Sequence, residues 1–302
     1  MTNTAHDFLC STESLEAGEQ LFGSAPNNEV WFLLEYNRAW GAKVLPESDL
    51  TAPVKDWLNG HLKTTPKSNI LFIRQQPKNG GGITFYVALP RETDPKLYKF
   101  VLQSYDDLLT LDIPAVIAGD PAYASHLSSE PLYLVCVNAR RDRCCARYGL
   151  PLYKVMTDYT GDQAWQCSHM GGHRFAPTTL FFPHGICYAR IHESEVDELI
   201  ETYRAGSLYL KRLRGRVAYE PVAQAAEYYL RMETGSSDLA AFRLVEVQSS
   251  APEQWQVRFE AAANARQYTI SLTRTASGAA IHNSCHAEET TPVLQYTLLS
   301  IE

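Results

Sequence analysis

Several features that define common classes of protein are missing from this 302-residue sequence. No apolar run approaches the roughly 18 residues that a membrane-spanning helix requires. Lysine and arginine form no long runs and the net charge is −7, which argues against a generic nucleic-acid binder. The first residues, MTNTAHDFLCSTES, contain neither a basic leader nor an apolar core, so no secretory signal is expected. These absences favour a cytoplasmic protein with neither a membrane nor a nucleic-acid partner.

Sequence motifs of several enzyme classes are missing as well. The glycines at 80–82 are not followed by the Lys-Ser/Thr of a phosphate-binding loop, and neither G-x-G-x-x-G nor G-x-S-x-G occurs. A thiol–disulfide enzyme is disfavoured because no C-x-x-C motif is present. Among the 34 acidic residues no pair stands out as the facing carboxylates of a glycosidase. The sequence therefore gives no support to sugar hydrolysis.

What is present is a globular composition, with 45% hydrophobic and 20% charged residues. Residues 1–125 predict a strand at 29–36, a helix at 53–62, and the strands NILFIRQQ and ITFYVALP, joined by a glycine-rich turn. A helix that places Leu97, Phe100, Val101 and Ser104 on one face is expected to follow. Residues 126–215 repeat this order with a strand at 131–138, a helix at 141–156, the strands TTLFF and ICYARI, and a final helix.

This order, strand-helix-strand-strand-helix, is the core of a thioredoxin-like unit. We therefore predict an α/β (α+β) protein with two thioredoxin-like units, residues 1–125 and 126–215, whose repeated order suggests a duplication. Residues 216–302 predict a helix and an antiparallel sheet, because Trp255, Val257 and Phe259 alternate with polar residues. In this small appendage His282, Cys285 and His286 have no fourth ligand nearby, and we expect an ordinary loop there.

The seven cysteines carry the first chemical signal, because three of them are Cys136, Cys144 and Cys145. An odd number of cysteines in a long chain without a signal peptide indicates ligands or reactive thiols rather than a disulfide scaffold. Together with His169 and His173, Cys136 and Cys144 provide two thiolates and two imidazoles. That set suffices for a zinc ion or an iron–sulfur cluster, and its spacing does not decide between them.

The residues around this set resemble a known family. VCVNARRDRCCARYG together with WQCSHMGGHRFAP closely resembles the sucrase/ferredoxin-like family, and the resemblance extends over residues 10–215. It implies a [2Fe–2S] cluster held by two cysteines and two histidines outside a Rieske fold. Carried over by position, the implied ligands of the cluster iron are Cys136, Cys144, His169 and His173.

Two neighbouring thiols leave the ligand assignment open. Cys145 is an alternative to Cys144, which we favour because it directly follows the segment RDR at 141–143. Cys167, two residues before His169, is a further candidate that is more simply explained as a core thiol.

The expected function is the transfer of single electrons between protein partners, a reductase and an acceptor, with no catalytic residue. The acidic net charge suits docking to basic redox partners. Two alternatives stay open at this point. One is a redox enzyme that uses the thiol of Cys144, Cys145 or Cys167, and the other is a zinc-stabilised binding module.

Overall fold

The computed structural model describes residues 8–75 and 82–302. These residues form the helices α1 Cys10–Glu16, α2 Ala52–Thr64, α3 Ile113–Ala118, α4 Arg143–Thr160, α5 Val196–Arg204 and α6 Pro221–Thr234. The glycine-rich turn predicted between the second and third strands falls almost entirely outside the described residues. Within 8–75 and 82–302, no helix combines the length and the apolar character needed to cross a membrane.

The strands form two separate sheets. Nine strands make the large sheet: β1 Val30–Glu35, β2 Ser68–Arg74, β3 Ile83–Leu89, β4 Lys96–Leu102, β5 Leu132–Cys136, β6 Ala164–Cys167, β7 Thr178–Phe182, β8 Ile186–Ala189 and β9 Leu213–Arg216. Four strands make the small antiparallel sheet: β10 Phe242–Ala251, β11 Gln254–Ala261, β12 Gln267–Ile281 and β13 Thr291–Ile301. The predicted mixed fold class and the separate C-terminal sheet are confirmed.

The large sheet contains two sets of four strands that pair in the same way. In the first set β1 is parallel to β2 and antiparallel to β3, which is antiparallel to β4. In the second set β5 is parallel to β6 and antiparallel to β7, which is antiparallel to β8. The sets join where β2 and β6 pair antiparallel through Ile73 with Cys167 and Arg74 with Gln166. Both sets therefore lie side by side in one continuous sheet.

The central strands are apolar because both faces of the sheet are covered. Phe32 and Leu34 of β1 belong to the core that the helices α2, α4 and α5 cover. Trp31 and Leu33 point the other way, into a second core that includes Cys136 and Cys145. A strand buried on both faces has a nearly continuous hydrophobic sequence rather than a strict alternation.

The helix predicted through Leu97 and Ser104 is wrong, because Lys96–Leu102 forms the edge strand β4. Tyr98, Phe100 and Leu102 alternate with exposed residues along it, so the period of two prevails over the helical spacing. The strand β6 is also absent from the predicted order. It has only four residues, which leaves too short a pattern to recognise.

The C-terminal region does not stand apart from the large sheet. Helix α6 packs on the small sheet, and its Glu227 binds Arg216 of β9 at 2.8 Å and Arg231 at 2.9 Å. The loop 282–290 between β12 and β13 returns to α1 and to the start of α4. There His282 Nδ1 lies 2.9 Å from Glu13. This contact brings the C-terminal loop next to the residues that the sequence marks for metal binding.

Candidate metal centre

Two cysteines are brought together by the short connection between β5 and α4. Cys136 is the last residue of β5, and Cys145 lies in the first turn of α4. Asp142 caps the helix by accepting a hydrogen bond from the Cys144 amide at 2.9 Å. Gly149, one turn after Cys145, lets α4 approach the strand, because a Cβ there would lie 2.1 Å from the Cys136 carbonyl oxygen. This close approach positions the Cys145 thiol beside Cys136.

Two histidines reach the same place on the loop that follows β6. Gly171 and Gly172 have φ values of +102° and +74°, which the backbone of glycine adopts without steric penalty. The loop turns through them and enters a short 3₁₀ turn at His173–Phe175. His169 and His173 therefore sit on either side of a tight loop and not on one face of an α-helix.

The ligand atoms of these residues form a continuous group. The Nδ1 atom of His169 lies 3.9 Å from Cys136 Sγ and 3.6 Å from Cys145 Sγ. Its Nε2 atom lies 3.3 Å from His173 Nδ1. On its other side the His173 ring donates from Nε2 to the Asn283 carbonyl oxygen at 2.6 Å. A carbonyl only accepts, so Nε2 carries the hydrogen and the Nδ1 lone pair faces His169.

The two thiols of this group are shielded from water, and their pKa values are strongly shifted. Cys136 and Cys145 are each 1% exposed. Contacts with Cys145 and His169 hold the pKa of Cys136 well below its usual range, against the effect of burial. Contact with Cys136 and burial raise the pKa of Cys145 well above its usual range. These opposite shifts follow from the contact between the two sulfurs, and neighbouring cysteine sulfurs are a ligand type that a metal ion binds.

The structure brings together Cys136, His169 and His173 of the predicted set and adds Cys145 rather than Cys144. Consecutive residues of a helix point about 100° apart, so the two adjacent thiols face different neighbours. Cys144 is directed away from the group, toward Cys10 and Cys285. The ligand geometry therefore supports Cys145, the alternative that the sequence left open.

The other cysteines considered from the sequence lie in two different environments. Cys167 is fully buried, and burial raises its pKa well above the usual range, as expected of a core thiol. Cys285, expected to lie in an ordinary loop, is instead buried against Cys10 and Cys144. No local pattern marks Cys10, and the neighbouring His282 and His286 gave only a weak signal for Cys285, because these cysteines meet only through long-range folding.

A buried guanidinium holds the loop 168–175, which carries both histidines and is called the histidine loop here. Arg214, 2% exposed, donates to the Gly171 carbonyl at 3.2 Å and to Ser24 Oγ at 3.0 Å. A Cβ on Gly172 would lie 2.4 Å from this guanidinium, so only glycine fits between. Arg214 also stacks 5.1 Å from the centre of the Phe175 ring. The loop therefore rests on a fixed positive charge, which favours an anionic centre nearby.

A sequence model of the sucrase/ferredoxin-like family matches residues 21–215. The chain belongs to this family. The family match includes Cys136, Cys145, His169 and His173, whereas Cys10 and Cys285 lie outside it.

The solved structures similar to this chain include the thioredoxin-like [2Fe–2S] ferredoxin of Aquifex aeolicus. The wild-type ferredoxin is 17% identical, with 30% of this chain and 100% of the ferredoxin covered and a TM-score of 0.26. A cysteine-to-serine variant of it is 18% identical, with 29% and 100% covered and the same TM-score of 0.26. Curated proteins gave no match.

Proposed function

We propose that this protein is an electron carrier that binds a [2Fe–2S] cluster through Cys136, Cys145, His169 and His173. The observation that carries this proposal is the close approach of the buried Cys136 and Cys145 thiols to His169, with His173 Nδ1 on the far side of the His169 ring at 3.3 Å. Relative to the set taken from the sequence, Cys145 replaces Cys144. The middle region, residues 126–215, then contributes all four ligands, and residues 1–125 and 216–302 frame it.

The donor set fits this group in type and in surroundings. Cysteine thiolates and histidine nitrogens are the protein ligands of [2Fe–2S] centres with mixed ligation. The hydrogen bond from His173 to Asn283 fixes the ring and makes Nδ1, which faces His169, the nitrogen that would bind iron. Arg214 supplies a positive charge beneath the loop.

When bound, such a cluster accepts and releases one electron at a time, and replacing two thiolates by imidazoles raises its potential above that of an all-cysteine ferredoxin. The protein's own residues exclude water on the cysteine side, where Cys136, Cys145 and Met170 are buried. His173 reaches the surface, with 14% of its side chain exposed. We propose that a reductase and an acceptor protein dock at this histidine edge.

The test is chemical analysis of protein purified without oxygen. We expect about two iron and two acid-labile sulfide per chain, visible charge-transfer absorption, and an EPR signal that appears on reduction and disappears on reoxidation. Absence of iron and sulfide would overturn the proposal. Zinc bound by these same four residues would favour the binding-module alternative.

A further inference from the structure

Three cysteines from distant parts of the chain meet beside the candidate metal centre. Cys10 begins α1, Cys144 lies in the first turn of α4, and Cys285 lies in the loop 282–290. The Sγ atoms are 3.7 Å apart for Cys10 and Cys144, 3.3 Å for Cys144 and Cys285, and 3.6 Å for Cys10 and Cys285. All three side chains are buried, and none forms a disulfide.

A carboxylate completes the group. The oxygens of Asp142 lie 3.7 Å and 3.8 Å from Cys10 Sγ, and the residue is fully buried. Three donors hold this carboxylate in place: the amide of Cys144 at 2.9 Å, the amide of Cys285 at 2.8 Å and the Ser284 hydroxyl at 3.2 Å. A buried charge is costly unless it is paired or coordinates a metal, and His173 Nε2, 3.8 Å from the carboxylate, already donates to the Asn283 carbonyl.

The spacing of the four groups indicates what they would bind. Sulfurs bound to one tetrahedral zinc ion at about 2.3 Å are about 3.8 Å apart, close to the separations found here. Soft thiolates with one carboxylate select zinc over magnesium or calcium.

We propose that Cys10, Cys144, Cys285 and Asp142 form a closed tetrahedral site for one Zn²⁺ ion. The ion ties α1 and the C-terminal loop to the start of α4. Because Cys10 and Cys285 lie outside residues 21–215, the family match does not imply this site.

The site is coupled to the candidate metal centre through the chain itself. Cys144 and Cys145 are neighbours, and Asn283, which accepts the hydrogen bond from His173, lies two residues before Cys285. Zinc would therefore lie beside the helix turn that presents Cys145 and the carbonyl that orients His173, while the cluster ligands keep their own contacts with one another. The zinc assignment itself does not depend on whether those residues bind a cluster.

The test is metal analysis of the full chain combined with X-ray absorption at the zinc edge. We expect about one zinc per chain, with about three sulfur neighbours at about 2.3 Å and one oxygen. C285A removes a ligand from a loop and should lower zinc affinity by more than about tenfold while iron and sulfide are retained. C145S should do the reverse and lose iron but keep zinc. Failure of the cluster proposal can therefore be told apart from failure of the zinc proposal.

C187S is the matched control, since Cys187 is fully buried in β8 and belongs to neither ligand group in the described part of the chain, and serine keeps an acceptor for Arg214 Nη1, which lies 3.5 Å from the Cys187 sulfur. It should keep both metals. The absorption measurement uses the unmodified protein, so misfolding of a variant does not affect it. Three free thiols without zinc, a disulfide between Cys144 and Cys285, or iron in place of zinc would each overturn the proposal.

Discussion

The two halves of the large sheet share one strand topology, yet only one of them assembles a group of candidate metal ligands in the described structure. In the first half, Glu35 at the end of β1 pairs with Ile73 of β2. In the second half, Cys136 at the end of β5 pairs with Cys167 of β6. The equivalent strand ends thus carry a carboxylate in one half and a thiol in the other. Strand pairing alone does not create the site.

The connection that follows the first strand of each half explains the difference. The short connection 137–142 brings the start of α4 next to Cys136. Other contacts hold the long connection 36–51. Within it, the Tyr36 hydroxyl donates to Asp49 Oδ1 at 2.5 Å, and its Trp40 ring lies 4.3 Å from the guanidinium of Arg74 on β2. The first half also lacks the thiols themselves, because β1 ends in Glu35 and α2 contains no cysteine.

The largest effect is expected from the two adjacent cysteines. C145S should lose iron, sulfide and visible absorption, because it removes a thiolate ligand on the face of α4 that meets Cys136. C144S should keep them, because that thiol faces Cys10 and Cys285. Iron and sulfide analysis of both variants checks this. If C144S lost the cluster and C145S kept it, the assignment taken from the sequence would be restored.

A second test compares one glycine from each half. Gly149→Ala places a Cβ 2.1 Å from the Cys136 carbonyl oxygen and should lower the free energy of unfolding by about 2–4 kcal/mol. Gly60→Ala in α2 meets nothing within 4 Å and should raise it by about 0.5–1 kcal/mol. Chemical denaturation measures both. Equal effects at the two positions would show that close helix–strand packing is not special to the second half.

A third test compares one arginine from each half by its effect on stability and on iron loss. Arg214→Gln removes a buried donor from Gly171 and should cost about 1–3 kcal/mol of unfolding free energy, with faster loss of iron to a chelator. Arg74→Gln removes the guanidinium from the Trp40 ring and from Gln166 Oε1 of β6 at 2.9 Å; it should cost about 1–2 kcal/mol and leave iron loss unchanged. Unfolding curves and chelator kinetics measure the pair. Iron loss as fast in Arg74→Gln as in Arg214→Gln would contradict a specific role for Arg214.

The last prediction concerns how the free energy of unfolding changes with pH. Burial, together with the charge of Arg216, lowers the pKa of His184 in the β7–β8 turn to about 4. The unfolded chain, with an ordinary histidine pKa near 6.5, then binds a proton that the folded chain refuses, so stability falls as pH drops from about 6.5 to about 4. Discounted for partial exposure, the contribution is about 1–2 kcal/mol. The stability difference between wild type and His184→Asn, followed across this window, should change by that amount. A constant difference would contradict it.

The sequence predicts long, regular elements better than short or distant ones. The helices α2, α4 and α6 have clear apolar faces and were predictable. The strand β4 was not, because its apolar residues satisfy helical and strand spacing alike. At the site, residue types and the histidine motif indicated metal binding, but spacing could not choose between Cys144 and Cys145. That choice depends on the direction of α4, which the close contact at Gly149 sets.

The junction between the halves has a mechanical consequence. β2 and β6 share only two residue pairs, whereas β1 and β2 share six. Beside this short junction, Ser168 donates from its amide to the Phe72 carbonyl and accepts from the Phe72 amide through its hydroxyl, just before His169. A pulling force across the sheet would concentrate on these few bonds. The first segment to be released would be the one that leads into His169, so separation of the two halves would move the histidine loop before the rest of the second half.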